Sequence, residues 1–173
     1  MKLRITERDI RKIIREEIEK SITGNTAVKI APSLPRCKKM SGLIMEFCNY
    51  AADALGIKRD LVNIEIVDNR NRSGIKTTAY YDPNNHDIVI YGKDRAVVDV
   101  CRSIAHEMTH MSQMLENRIE FPVQDAGGEI EDEANAKAGE IIKLFAKSNP
   151  DENENKESMQ IAKNFVGKTK KST

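Results

Sequence analysis

The sequence of 173 residues lacks several features that would place it in a broad class of protein. It has no excess of charge of one sign, because 28 Lys and Arg residues offset 27 Asp and Glu residues and leave a net charge of +1. Without a basic surface for a phosphate backbone, no nucleic-acid partner is expected. The sequence also lacks an apolar run of roughly 18 residues, so we expect no membrane span and no membrane partner.

Cysteine is also scarce in this chain. Cys37, Cys48 and Cys101 are odd in number and far apart, and two of them fall at apolar positions of predicted helices. This pattern indicates buried thiols rather than a disulfide framework, and it predicts a reducing compartment such as the cytoplasm. Charged residues interrupt the first ten positions, where a signal peptide needs a continuous apolar stretch, so export by that route is not expected.

The chain has the length of one ordinary domain with polar extensions. Residues 1–35 are predicted to form an N-terminal amphipathic helix, at 6–22, followed by a linker rich in Gly, Asn and Pro. The charged face of that helix is expected to be solvated, and docking of a partner through residues 6–22 is the alternative. Residues 36–147 are predicted to form the compact domain, and residues 148–173 a flexible polar tail.

Hydrophobic periodicity predicts an α+β fold for the compact domain. The predicted elements are a helix at 36–55, strands at 61–66, 75–81 and 88–91, and helices at 97–115 and from about 128. Asn, Asp and Pro between the last two strands indicate a hairpin. We therefore expect a small three-stranded sheet, antiparallel or mixed, packed on the helices.

The helix predicted at 97–115 contains His106-Glu107-Met108-Thr109-His110, an H-E-x-x-H motif. At 3.6 residues per turn, His106 and His110 lie one above the other, so both imidazoles can reach a single metal ion. Glu107 lies beside them, placed to accept a proton from a zinc-bound water whose pKa the ion lowers to about 7. The alternative is a chance coincidence of two histidines and a glutamate on one helix.

A catalytic zinc ion requires a third protein ligand, and the helix that begins near residue 129 offers several carboxylates. Glu131 shares a helical stripe with Asn135 and the apolar Ala138, whereas Glu133 aligns with Lys137. Glu131 is therefore the predicted ligand. The alternative is an acidic first turn that complements the helix dipole.

Several polar side chains are candidates for supporting roles around this predicted zinc site. Asn135 is placed to hold a ligand histidine through its second ring nitrogen, a contact that metal sites usually contain. His86, in the predicted hairpin turn, is interpreted as a solvated loop residue rather than a ligand. Tyr80 and Tyr81 are candidate oxyanion donors, although tyrosines in edge strands more often serve packing.

The H-E-x-x-H motif followed by Glu131-Asp132-Glu133-Ala134-Asn135 resembles the gluzincin metallopeptidases, in which E-x-x-A-D or E-x-x-A-N on the next helix completes the site. It is similar to the ImmA/IrrE family and other minimal gluzincins. The resemblance implies a zincin-like domain with Zn²⁺ held by His106, His110 and Glu131, and with Glu107 as catalytic base. It also implies that a strand including Tyr80 and Tyr81 pairs with an extended peptide substrate.

Two functions are consistent with these motifs. The first is zinc-dependent hydrolysis of a peptide or protein substrate by an endopeptidase that uses Glu107 to activate water. The second is a structural or assembly role in a phage particle, with the peptidase-like fold retained and little or no turnover. The charged N-terminal helix looks like leaders on proteins of some tailed bacteriophages, and this resemblance implies the host cytoplasm or the virion as location.

Overall fold

The computed structural model describes residues 24–70, 77–119 and 128–148, which form an α+β fold of four α-helices and one four-stranded mixed sheet. In chain order the elements are β1 (Ala27–Ile30), α1 (Pro35–Lys39), α2 (Ser41–Ala54), a 3-10 turn (Arg59–Leu61), β2 (Asn63–Val67), β3 (Ala79–Asp82), β4 (Asp87–Tyr91), α3 (Val97–Leu115) and α4 (Glu129–Ser148). The predicted helix at 6–22 and the predicted tail after Ser148 lie outside the described residues. Within those ranges, no helix is both long enough and apolar enough to cross a membrane.

The sheet has the strand order β1-β2-β4-β3. β1, β2 and β4 run parallel, and β3 runs antiparallel to β4 with Tyr81 opposite Ile88. The predicted hairpin is therefore confirmed. Its turn ends at His86, which adopts a left-handed φ of 56°. From Asn63 to Ile66, β2 alternates between exposed and buried side chains, as expected for a strand with one face on the core.

Two predictions about the first half of the chain are wrong. Residues 27–30 are predicted to lie in a linker, but in the structure they form β1. The sheet therefore has four strands rather than three, and the folded unit begins before residue 36. Hydrogen bonds from Ala27 N to Val62 O and from Ala31 N to Ile66 O, each 2.9 Å, hold this strand on β2. β1 is short and partly exposed, so its sequence has no apolar run that could signal a strand among the neighbouring turn residues.

The helix predicted at 36–55 is divided in the structure. Met40, with φ of −101° and ψ of 19°, separates the short α1 from α2. Both helices keep apolar side chains on the core, including Cys37 from α1 and Ile44 and Phe47 from α2. The division therefore changes the direction of the chain without changing which residues are buried.

The core lies between the sheet and the helices, and α3 is at its centre. α3 packs against α2, α4, β3 and β4. The link from β4 to α3 passes through Gly92, where a Cβ atom would lie 2.7 Å from Ile66 Cγ2 and 3.1 Å from Leu34 Cδ1. A side chain at residue 92 would therefore push β4 away from β2. Close packing at Gly92 therefore sets the path by which the chain leaves β4 for α3.

The three cysteines are free and buried, as predicted. Burial raises the pKa of the Cys101 thiol to about 12 and that of the Cys48 thiol well above its ordinary value. Cys37 lies near Arg95, which lowers its pKa, but burial has the larger effect and the pKa is raised. All three thiols are therefore protonated at neutral pH.

Candidate metal centre

The structure brings three predicted ligand residues together at the contact between α3 and α4. His106 and His110 lie one turn apart on α3, with their Nε2 atoms 3.1 Å from each other. Glu131, in the first turn of α4, places Oε1 3.1 Å from His110 Nε2 and Oε2 3.4 Å from His106 Nε2. One donor atom from each residue falls within 4.8 Å of the others.

These donor atoms have the spacing that one tetrahedral ion requires. Bonds from zinc to imidazole nitrogen and carboxylate oxygen are about 2.0–2.2 Å long, so the ligand atoms of a tetrahedral zinc ion lie about 3.3 Å apart. The measured separations of 3.1 and 3.4 Å bracket that value. Two imidazoles and one carboxylate form a donor set that suits zinc and leaves the fourth tetrahedral position open.

The protonation of His106 also suits a metal ligand. Burial lowers the pKa of His106, and the neighbouring His110 lowers it further. Glu131 and a hydrogen bond with Asn135 raise the pKa, but their effects are smaller. His106 is therefore neutral at pH 7, which is the form of imidazole that binds a metal ion.

Asn135 lies one turn after Glu131, as predicted, but its side chain is exposed rather than buried. Its Nδ2 atom donates a hydrogen bond to the Glu131 backbone oxygen at 2.9 Å, and its hydrogen bond with His106 raises the pKa of that residue. The helical stripe that was used to place Asn135 runs from the apolar core into an open cavity at the start of α4. Periodicity identifies the side of the helix but not the point at which the core ends.

Glu107 lies beside the predicted ligands with a strongly perturbed carboxyl group. Burial, reinforced by the nearby carboxylate of Glu131, raises the pKa of Glu107 to about 7. A hydrogen bond from the backbone N–H of Tyr81 lowers the pKa but does not offset burial. A carboxyl group with a pKa near 7 can both accept and donate a proton at neutral pH.

A cavity of about 750 Å³ gives access to these residues. Its walls are formed by the start of β3, by the face of α3 that carries His106 and Glu107, and by the first turns of α4. Within the described residues, β3 is an edge of the sheet. β3 therefore runs along the cavity, and its side opposite β4 pairs with no other described strand.

The direction of the backbone groups of β3 follows from its pairing with β4. Tyr91 N donates to Thr78 O at 2.9 Å, so alternate residues from Thr78 onward direct their N–H and C=O groups to β4. Ala79 and Tyr81 lie between them and direct these groups to the unpaired side. The hydrogen bond from Tyr81 N–H to Glu107 agrees with this direction.

The two candidate tyrosines have different surroundings. The Tyr81 ring is buried, and its hydroxyl lies 2.7 Å from His86 Nδ1, so this hydroxyl belongs to the hairpin contact. His86 stacks on Tyr81 and is not part of the cluster formed by His106, His110 and Glu131. Tyr80 is exposed and lies opposite Val89, near Glu65, on the face of the sheet directed away from the main core, so the structure brings neither tyrosine hydroxyl to the predicted ligands.

Sequence reasoning missed Gln113. This side chain is buried, and its Oε1 atom lies 2.9 Å from His110 Nδ1. The available signal was its position three residues after His110, since residues at this spacing are neighbours on a helix. Sequence reasoning also placed Glu133 on the solvated face of α4, but the structure shows it half-buried, in contact with Gln113 and Arg118.

Comparisons with protein-family models, with curated proteins and with solved structures found no match to this chain. Any functional assignment therefore depends on the motif and on the geometry of the site itself.

Proposed function

We propose that this protein is a zinc-dependent peptidase that hydrolyses peptide bonds with Glu107 as general base. The observation that carries this proposal is the spacing of 3.1–3.4 Å among the donor atoms of His106, His110 and Glu131. Helical spacing alone accounts for the two histidines on one face of α3. It does not account for a carboxylate from another helix that lies within 3.4 Å of both.

The proposed mechanism assigns two proton transfers to Glu107. A zinc ion held by His106, His110 and Glu131 would supply a Lewis acid that polarises the substrate carbonyl and acidifies water. Glu107 takes a proton from the attacking water and returns it to the departing amine. A hydrogen bond from the Tyr81 backbone N–H holds the Glu107 carboxylate beside the predicted ligands.

The unpaired side of β3 supports an extended peptide as the substrate. Ala79 directs its backbone N–H to this side, where a peptide strand can pair with it. Such pairing binds main-chain atoms and is independent of the substrate sequence.

The proposal is tested with Glu107→Gln, which keeps the size of the side chain and removes its basicity. We expect this variant to bind one zinc ion per chain and to lose cleavage of casein, with zinc measured by elemental analysis. The matched control is Glu140→Gln on the exposed side of α4, which should keep both properties.

Undiminished cleavage by Glu107→Gln would remove Glu107 from the mechanism. A wild-type protein that binds zinc stoichiometrically, cleaves neither casein nor a co-purifying protein, and remains in a large assembly would instead favour the structural role.

A further inference from the structure

Gln113 is almost fully buried, with 1% of its surface exposed, yet all the polar atoms of its side chain have partners. Its Oε1 atom lies 2.9 Å from His110 Nδ1. Its Nε2 atom donates to Ile130 O at 3.1 Å and to Glu133 Oε2 at 3.0 Å. One side chain of α3 therefore connects a predicted ligand to the first turn of α4.

These partners determine which way the Gln113 amide is turned. A backbone carbonyl and a carboxylate only accept hydrogen bonds, so the amide nitrogen must face Ile130 and Glu133. The amide oxygen then faces His110, and His110 Nδ1 must carry the proton that it accepts. In the neutral ring this leaves the lone pair on Nε2, the atom that lies 3.1 Å from both His106 Nε2 and Glu131 Oε1.

Glu133, which accepts a hydrogen bond from Gln113, is itself held in place by an ion pair. Glu133 accepts hydrogen bonds from Arg118 at 3.0 and 2.6 Å. Arg118 follows the end of α3, so this ion pair connects α3 and α4 a second time. Gln113 is thus fixed by groups on α4 that are independent of His110.

We propose that Gln113 is a positioning residue that holds His110 with Nε2 directed at the metal and ties this ligand to the turn of α4 that carries Glu131. This inference rests on the proposed zinc site and adds to it a residue outside the H-E-x-x-H motif. A contact between imidazole and a neighbouring acceptor typically changes metal affinity 10–100-fold. A residue that only joined the two helices would not determine which ring nitrogen of His110 carries the proton.

The first test is Gln113→Met, which keeps the volume of the side chain and removes its polar atoms. We expect its dissociation constant for zinc, measured by competition with a chromogenic chelator, to rise about 10–100-fold. The control is Ser112→Ala, on the same helix as Gln113, which removes a hydroxyl that donates to Leu55 O at the end of α2 and to Glu116, each at 3.2 Å, and does not touch His110. Its zinc affinity should match the wild type even if its stability falls.

The second test needs no substitution and therefore does not depend on the folding of a variant. In the zinc-loaded wild-type protein labelled with ¹⁵N, long-range proton–nitrogen correlation should show His110 with a proton on Nδ1. Coordination through Nδ1, with the proton on Nε2, would overturn the proposed orientation.

The outcomes separate this inference from the proposed function. Stoichiometric zinc in the wild type together with an equal affinity in Gln113→Met would overturn the role of Gln113 and leave the peptidase proposal standing. A wild-type protein that binds no zinc would overturn both.

Discussion

The two faces of α3 differ in the side chains they carry and in how burial affects those side chains. One face carries Val100, Ile104, Met108 and Met111, all fully buried, and needs no partner other than apolar neighbours. The other carries His106 and Glu107, whose pKa values are shifted by burial toward their neutral forms. Burial of the first face stabilises the folded state. Keeping the ionisable groups of the second face in the cavity wall costs part of the free energy of folding.

The largest expected effect concerns the cavity face of α3, the face that carries His106 and Glu107. Its proposed zinc site depends on α4 for the third ligand. Glu131→Ala should lose zinc and peptide cleavage, because two histidines alone leave the donor set incomplete. Glu133→Ala is the comparison and should still bind one zinc ion per chain, although more weakly than the wild type, since Glu133 contacts Gln113 and Arg118 rather than the donor atoms. Elemental analysis after dialysis measures the zinc content of both variants. Loss of zinc from Glu133→Ala but not from Glu131→Ala would refute the assignment of Glu131.

On the apolar face, the prediction is a loss of stability without a change in metal binding. Met108→Ala should lower the free energy of unfolding by about 2–5 kcal/mol through the cavity that it creates. Leu115→Ala, at an exposed position near the end of α3, should change it by less than about 0.5 kcal/mol. Denaturant titration measures both. Loss of zinc from folded Met108→Ala would show that the two faces are coupled.

The cost of the cavity face should appear as a dependence of stability on pH in the metal-free protein. The folded state keeps the Glu107 proton up to about pH 7, whereas an ordinary carboxyl releases it near 4.5. Stability should therefore fall as the pH rises between these values, by up to about 3 kcal/mol from this group.

Glu107→Gln removes this titration. We expect the variant to gain stability relative to the wild type as the pH rises from 4.5 to above 7, measured by denaturant titration in the presence of a chelator. A constant difference between the two proteins over this range would show that the Glu107 carboxyl is not desolvated.

The smallest effect on metal binding is expected from modification of the three buried thiols. Because all three are buried and their pKa values are raised, Ellman's reagent at pH 8 should label none within minutes in the native protein and all three in guanidinium chloride. Prolonged exposure of the native protein should leave its zinc content unchanged. Rapid labelling, or loss of zinc with labelling, would contradict the placement of the thiols away from the metal.

Periodicity predicted the apolar face of α3 and the hairpin between β3 and β4, because both are set by residues close together in the sequence. It also selected Glu131 over Glu133, since helical phase depends only on the spacing from Ala138. It did not find β1, whose assignment depends on pairing with β2 more than thirty residues later. It did not find Gln113, because the polar partners of this residue lie on α4.

β1 has a practical consequence for any shortened form of this protein. A chain beginning at residue 36 would lack the strand that covers one side of β2. The backbone groups of Ile64 and Ile66 would then be open to pairing with another molecule, next to two buried apolar side chains. Such a fragment would retain every residue of the proposed zinc site and still be prone to self-association, so a lack of peptidase activity in it would reflect the missing strand rather than refute the proposed mechanism.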